Sequence, residues 1–289
     1  MNPRGNIDEP TVAGFGEEWS AFDQSGAPPG ELEQIFDRYF GIFPLEDLAG
    51  AEGFDLGCGS GRWARFVAPM VGKLHCIDPS AKALNVAKAR LSNVPNAEFH
   101  LAGADDMPLA DNSQDFGYSL GVLHHVPNPE QAMLHCVAKL KPGAPFLAYL
   151  YYRFDQRPSW FRLLWKASDL ARRAISHMPF ALRRTAAEGI AVTIYWPFSR
   201  AARVAEALGA NVSGWPLASY RRLSLYTVRT DALDRFGTRL EYRFLRGEVA
   251  VMMERCGLVD VRFSENPPFW VAVGRKRSRP KSPVGDPCP

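Results

Sequence analysis

Apolar residues recur along this chain in two rhythms. Short apolar or alternating runs at 53–56, 73–78 (KLHCID), 98–102, 115–123 and 145–152 (PFLAYLYY) read as strands. Between them, 62–71, 81–91 and 129–140 read as helices, the last closed by the stop signal Lys141-Pro142-Gly143. Residues 31–39 (ELEQIFDRY) put Leu32, Ile35, Phe36 and Tyr39 on one face of a further short helix. Strands alternating with helices at this spacing predict βαβ units, and so an α/β fold with helices on both faces of a parallel sheet. The alternation stops after Arg153, where the chain becomes basic, Trp-rich and helical in pattern. It resumes with a helix at 247–255 and strands at 258–264 and 269–275.

The predicted organisation is therefore a flexible arm at 1–29, a core at 30–153 and a basic, mostly helical cap at 154–246. A helix and β-hairpin at 247–277 complete the core, and 278–289 form a Pro-rich disordered tail. Charge sharpens this division. The formal net charge is only +3, yet residues 150–246 hold 17 Lys+Arg against 7 Asp+Glu, a net of +10. The remainder, with 17 basic and 24 acidic residues, is −7. Such segregation suggests two parts facing different partners, the basic one suited to phosphates, nucleic acid or an acidic membrane surface.

With 46% hydrophobic residues, the chain is not intrinsically disordered. No apolar run approaches the roughly 20 residues that span a bilayer, and MNPRGNIDEP does not read as a signal peptide. Five cysteines (Cys58, Cys76, Cys136, Cys256 and Cys288) lie mostly inside apolar segments without CxxC pairing. That argues against a zinc site or a disulfide framework, so no metal is expected. The reading is a cytoplasmic protein with reduced thiols.

The chemistry concentrates in GFDLGCGSGRWARF at 53–66. Gly57, Gly59 and Gly61 fall where the first strand meets the first helix. Glycines there allow tight turning and close backbone approach, and the free N–H groups of the helix start point at whatever is bound. An ordinary glycine turn explains such a pattern taken alone. Here the spacing is G-x-G-x-G, Asp55 stands two residues before the first glycine, and Asp78 ends the second strand. A carboxylate at that strand tip can accept hydrogen bonds from both hydroxyls of a ribose.

The succession DLGCGSG, CIDPS, DMPLADNSQDFGYSLGVLHHV and LKPGA resembles the class I S-adenosylmethionine-dependent methyltransferases, in particular the small-molecule group called methyltransferase type 11. The resemblance covers roughly residues 50–150 plus the terminal helix and strands. It implies a transferase with a seven-stranded Rossmann-like methyltransferase sheet whose last strand is antiparallel. It further implies S-adenosyl-L-methionine as cofactor, with Asp55, Gly57, Cys58, Gly59 and Gly61 at the methionine end. Asp78 would hold the ribose, with Pro79 beside the adenine, and Leu120 and Gly121 would offer backbone groups to the methionyl part. The family often has an acid near the adenine in a G-D-A-like run; this chain reads Ala102-Gly103-Ala104-Asp105 there. Adenine recognition then falls to Asp105 and the backbone around Ala104. FGEEW at 15–19 resembles arms that close over the cofactor in saccharide-modifying methyltransferases.

Asn266-Pro267-Pro268-Phe269 matches the tetrapeptide of enzymes that methylate amino groups of DNA bases, but there it must follow the fourth strand. Here it falls in the final hairpin and reads as a turn. For the acceptor side, His124 and His125 follow the fourth strand, at the sheet edge where open α/β proteins place ligands. They read either as a catalytic base or as structural pocket residues. Tyr152 joins them as a catalytic candidate, with Tyr151 and Asp155 as alternatives. Arg229, Asp231 and Arg235 in the arginine-rich run 220–244 are the substrate-binding candidates, read equally as an internal ion-pair network. The expected acceptor is an anionic, hydroxyl-bearing small molecule, best a saccharide precursor. Rival readings are an RNA methyltransferase using the basic cap, and a non-catalytic adaptor resting the helix at 160–175 on lipid.

Overall fold

The structure, a computed structural model, describes residues 5–154, 157–266 and 270–278. Seven strands form one sheet: β1 (Glu52–Leu56), β2 (Lys73–Asp78), β3 (Ala97–Leu101), β4 (Phe116–Leu120), β5 (Pro145–Tyr149), β6 (Leu258–Phe263) and β7 (Val271–Lys276). Their order is β3-β2-β1-β4-β5-β7-β6. The first five are parallel, whereas β7 runs antiparallel between β5 and β6, pairing Tyr149 with Val271. The order reverses between β1 and β4, and in such sheets the crevice at that switch point receives the ligand.

Around the sheet lie α1 (Glu9–Ala21), α2 (Glu31–Phe40), α3 (Ala64–Val67), α4 (Ala81–Arg90), α5 (Pro129–Lys139) and α10 (Arg246–Arg255). Local chemistry sets their starts. Ser80 caps α4 by accepting from the Ala83 N–H at 3.4 Å, and Asn128 caps α5 by accepting from Gln131 at 3.1 Å, with Pro129 at the first position. One sheet face packs Phe54, Ile77 and Phe146 against Met133 and Met253; the other packs Leu74, Cys76 and Tyr118 against Trp63 and Leu84. The cap, α6 (Ser159–Ser176), α7 (Phe180–Ile190), α8 (Trp196–Ala207) and α9 (Leu225–Gly237), is inserted between β5 and α10.

The N-terminal segment differs from the flexible arm expected. Asp8 caps α1, and Gly16 brings that helix so close to the core that a Cβ there would lie 2.4 Å from Ser80 Oγ. Glu17 binds Arg183 of α7 at 3.0 Å. Ahead of the helix, Asn6 exchanges hydrogen bonds with the backbone of Asn128, both at 2.6 Å. Tertiary contacts hold this stretch, which explains its lack of a strong amphipathic pattern. The expected tail falls almost wholly outside the described residues, as do Asp155 and Pro267, Pro268 and Phe269 of the tetrapeptide.

Candidate active site

After β1 the chain turns through Gly57, Gly59 and Gly61, all with left-handed φ. The N–H groups of Gly57 and Cys58 donate to the Ile77 carbonyl at 2.7 and 3.1 Å, tying the loop to the end of β2. A Cβ on Gly57 would lie 2.3 Å from Val122, and one on Gly59 2.8 Å from the Trp19 indole nitrogen. Only glycine fits either place. Trp19 therefore lies directly against the loop, and the Arg62 guanidinium faces both its ring and that of Trp63.

Asp78 is buried at the tip of β2. One carboxylate oxygen accepts the Gly59 N–H at 2.9 Å and the other accepts that of Ser80 at 2.8 Å. Each oxygen keeps a further lone pair for an incoming hydroxyl. Burial pushes its pKa up to about 6 in spite of those two bonds. Asp55 is buried more completely and one of its oxygens has no partner; burial, with Asp78 nearby, pushes it up to about 8. Leu120 ends β4, and Gly121 after it turns with left-handed φ with open space where a side chain would point. Asp105, expected near the adenine, accepts the Asn6 N–H at 2.6 Å through one oxygen and keeps the other buried without a hydrogen-bond partner, while Asp106 accepts the N–H of Gly103. The N-terminal segment thus lies along this loop beside Pro79 and Ala104.

Beyond Gly121 the two histidines differ. His124 is fully buried, its ring tilted against that of Tyr151 with centroids 3.8 Å apart, and neither ring nitrogen has a hydrogen-bond partner. His125 donates its Nδ1–H to the Leu240 carbonyl at 2.7 Å, which fixes the tautomer. Its Nε2 is buried and unpartnered. Burial holds both imidazoles below their ordinary pKa, His124 far below, so both are neutral at pH 7. The Tyr151 hydroxyl donates to Asp234 at 2.7 Å, and the second Asp234 oxygen is free and buried. The structure brings Tyr151, not Tyr152, to the histidines. Strand alternation sends Tyr152 the other way, against Phe154 and Trp270.

The cap arginines are committed to partners. Arg229 binds Glu188 at 2.8 Å. Arg235 holds both oxygens of the buried Glu241 at 3.0 Å, and Arg243 binds one of them at 2.7 Å. Of the three substrate-binding candidates, Arg229 fits the ion-pair reading, and Arg235 fits it through Nη1, its Nη2 being buried without a hydrogen-bond partner. Asp231 stands outside these pairs: burial pushes it up to about 7 against the pull of Arg62 and a hydrogen bond from Tyr220, with Asp234 adding to the rise. Glu18 of α1, missed from sequence, is buried with an unpartnered oxygen, and burial, Asp234 and Asp231 raise its pKa. Its signal was the FGEEW run, which also contains Trp19.

A parallel sheet closed by one antiparallel strand, with a glycine loop and acids at its switch point, defines the class I S-adenosylmethionine-dependent methyltransferase fold. Residues 54–148 match the family described as "Methyltransferase domain". A ubiquinone biosynthesis O-methyltransferase of Thiobacillus denitrificans is 29% identical over 143 residues, 48% of this chain and 61% of that protein. Methyltransferase GfsG of Streptomyces halstedii is 30% identical over 115 residues, 38% of this chain and 39% of that one. The chain thus spans about half the length of the curated relatives it matches. In structure it is similar to a SAM-dependent methyltransferase from Aquifex aeolicus, with TM-score 0.50 and 16% identity over 89% of this chain and 97% of that one.

The residues fit S-adenosylmethionine. Asp55 has an unpartnered buried oxygen, Asp78 has spare lone pairs for ribose hydroxyls, and the glycine loop has no room for side chains. Among the described residues no helix is long and apolar enough to cross a membrane.

Proposed function

We propose that the protein transfers a methyl group to a hydroxyl of a small polyhydroxylated acceptor, a saccharide or saccharide precursor, bound between the glycine loop and the cap. His125 carries the reading: a neutral imidazole with its tautomer fixed by Leu240 and a buried Nε2 lone pair without a protein partner. When bound, S-adenosylmethionine supplies a methyl group on a sulfonium that an acceptor oxygen can displace in line. Asp55, Asp78 and the glycine loop hold it. Nε2 of His125 takes the proton of the acceptor hydroxyl as the new O–C bond forms. The nearby carboxylates Asp234 and Glu241 favour the resulting imidazolium.

The groups around this space include acids and phenols, and Glu18 and Asp234 each keep a buried oxygen without a hydrogen-bond partner. Glu18, Asp231 and Asp234 can accept hydrogen bonds from hydroxyls, and Tyr39 and Tyr220 stand alongside, half-buried, the latter bonded to Asp231. Arg229 and one guanidinium nitrogen of Arg235 are tied to carboxylates. Although Nη2 of Arg235 is buried without a hydrogen-bond partner, the acids around it make the chamber favour a neutral acceptor over an anionic one. The same pairing weakens the RNA reading. The test is to incubate the protein with methyl-labelled cofactor and panels of neutral and phosphorylated saccharides, following a gain of one methyl mass. Exclusive labelling of phosphorylated acceptors or RNA would reject this proposal.

The outer face of α6 favours an additional contact. Trp160, Leu163, Leu164 and Leu170 are exposed along it, flanked by Arg162, Lys166 and Arg173. We propose that this face rests on an anionic membrane surface. Sedimentation with anionic but not neutral vesicles, lost in Leu163→Glu/Leu170→Glu, is the expected result.

A further inference from the structure

Away from the cofactor loop, the edge strand β3 and its neighbour β2 bring together a group of side chains the methyl-transfer reading does not use. The register sets His75 opposite Glu98 and Ile77 opposite His100. His75 Nδ1 lies 2.9 Å from His100 Nε2, and the Glu98 carboxylate approaches each of these nitrogens to 3.7 Å. Donor atoms around a tetrahedral ion with bonds of about 2.0–2.1 Å are about 3.3 Å apart. One ligand atom from each residue lies within 4.8 Å of the others. The two 3.7 Å approaches use different Glu98 oxygens. Seating an ion therefore takes a rotation of that half-exposed carboxylate, together with shifts of a few tenths of an ångström between the imidazoles.

The surroundings match a metal centre as well. Glu52 accepts from His75 Nε2 at 2.7 Å, which leaves the Nδ1 lone pair turned to the cluster. A carboxylate behind a ligating histidine in this way fixes its ring and raises its basicity. His75 is buried, His100 partly exposed and Glu98 half-exposed, so the fourth position opens to water. Cys76 points to the opposite sheet face, among Leu74 and Leu84, and cannot contribute.

We propose that His75, His100 and Glu98 form a binding site for a late first-row divalent ion, zinc by ligand type, that clamps the edge strand β3 to β2. On binding, the His100 proton at Nε2 shifts to Nδ1, so that both neutral imidazoles present a lone pair. Glu98 exchanges its ion pair with Lys73 for the metal; that pair is solvent-exposed and weak. The ligands are imidazoles and a carboxylate from strands 25 residues apart, which cysteine spacing could not reveal.

The test is titration of the full-length, chelator-treated protein with zinc chloride by calorimetry, alongside cobalt spectra and thermal melts. The proposal expects one ion per chain and a cobalt spectrum free of thiolate charge-transfer bands. It also expects a metal-dependent rise in melting temperature. His100→Ala should lower affinity by at least about 100-fold and abolish the rise, Glu52→Gln should lower it about 10- to 100-fold, and Lys73→Ala should raise it. Should His75→Ala fail to fold, the partly exposed His100 and Glu98 still decide the matter. Absent stoichiometric binding, thiolate bands, or unchanged affinity in both His100→Ala and Glu98→Gln would overturn it.

Discussion

Carboxylates on the two sides of the proposed chamber behave in opposite ways. Asp55, Asp78 and Glu18 are buried without an ion-pair partner among the described residues, and burial raises their pKa values, as it does for Asp231 in spite of Arg62 and a hydrogen bond from Tyr220. In the body of the cap, Asp169, Glu188 and Glu241 are also desolvated, yet guanidinium partners outweigh that and hold them below the ordinary range. The same side-chain type thus does two jobs. An acid paired with arginine fastens helices together; an acid left wanting a partner waits for a ligand. The cap's excess of arginine is mostly fastening. Arg221 and Arg222 share Glu206, Arg239 donates to the Ser176 carbonyl, and Arg183 reaches across to Glu17.

The sharpest way to break this comparison is at the base. His125→Ala should lower turnover by about 10²–10⁴-fold while calorimetry shows unchanged cofactor affinity; Tyr152→Phe should change turnover little. The cap side is tested by Glu241→Gln, which strands two arginines in a buried setting. It should cost about 3–5 kcal/mol in denaturant unfolding. On the rim, Asp78→Ala should weaken cofactor binding by about 10- to 100-fold, the loss of one or two charge-assisted hydrogen bonds. The smallest effect concerns pH. Asp55, Asp78 and Asp231 have folded-state values of about 8, 6 and 7, above their unfolded values. The folded chain therefore holds more protons than the unfolded one between roughly pH 4 and 8, and these acids destabilise it as pH rises. Cofactor-free protein should be more stable to denaturant at pH 5 than at pH 8, by at least about 1 kcal/mol, and saturating cofactor should narrow that gap.

Legibility followed sequence distance. The seven strands and the glycine loop were readable because each is a contiguous pattern, and the G-x-G-x-G spacing with Asp55 and Asp78 lies within one βαβ unit. Tyr151 and Tyr152 were not separable, since both leave β5 together and the face each takes depends on what packs there. Helix α1 was hidden for a different reason. Its two internal glycines lower helix propensity, but Gly16 is what lets the helix close on Ser80. The arginine-rich run was read both ways because its partners are remote: Arg229 pairs with a carboxylate 41 residues away and Arg183 with one 166 residues away.

By itself the sequence determined the sheet, its crossover pattern and the glycine loop, because hydrophobic period and backbone conformation are local properties of a chain. Only the tertiary structure decided which charges cancel and which stay unsatisfied. Coulomb and desolvation energies depend on distances through space, and these become defined when α1, the cap and the strand ends converge.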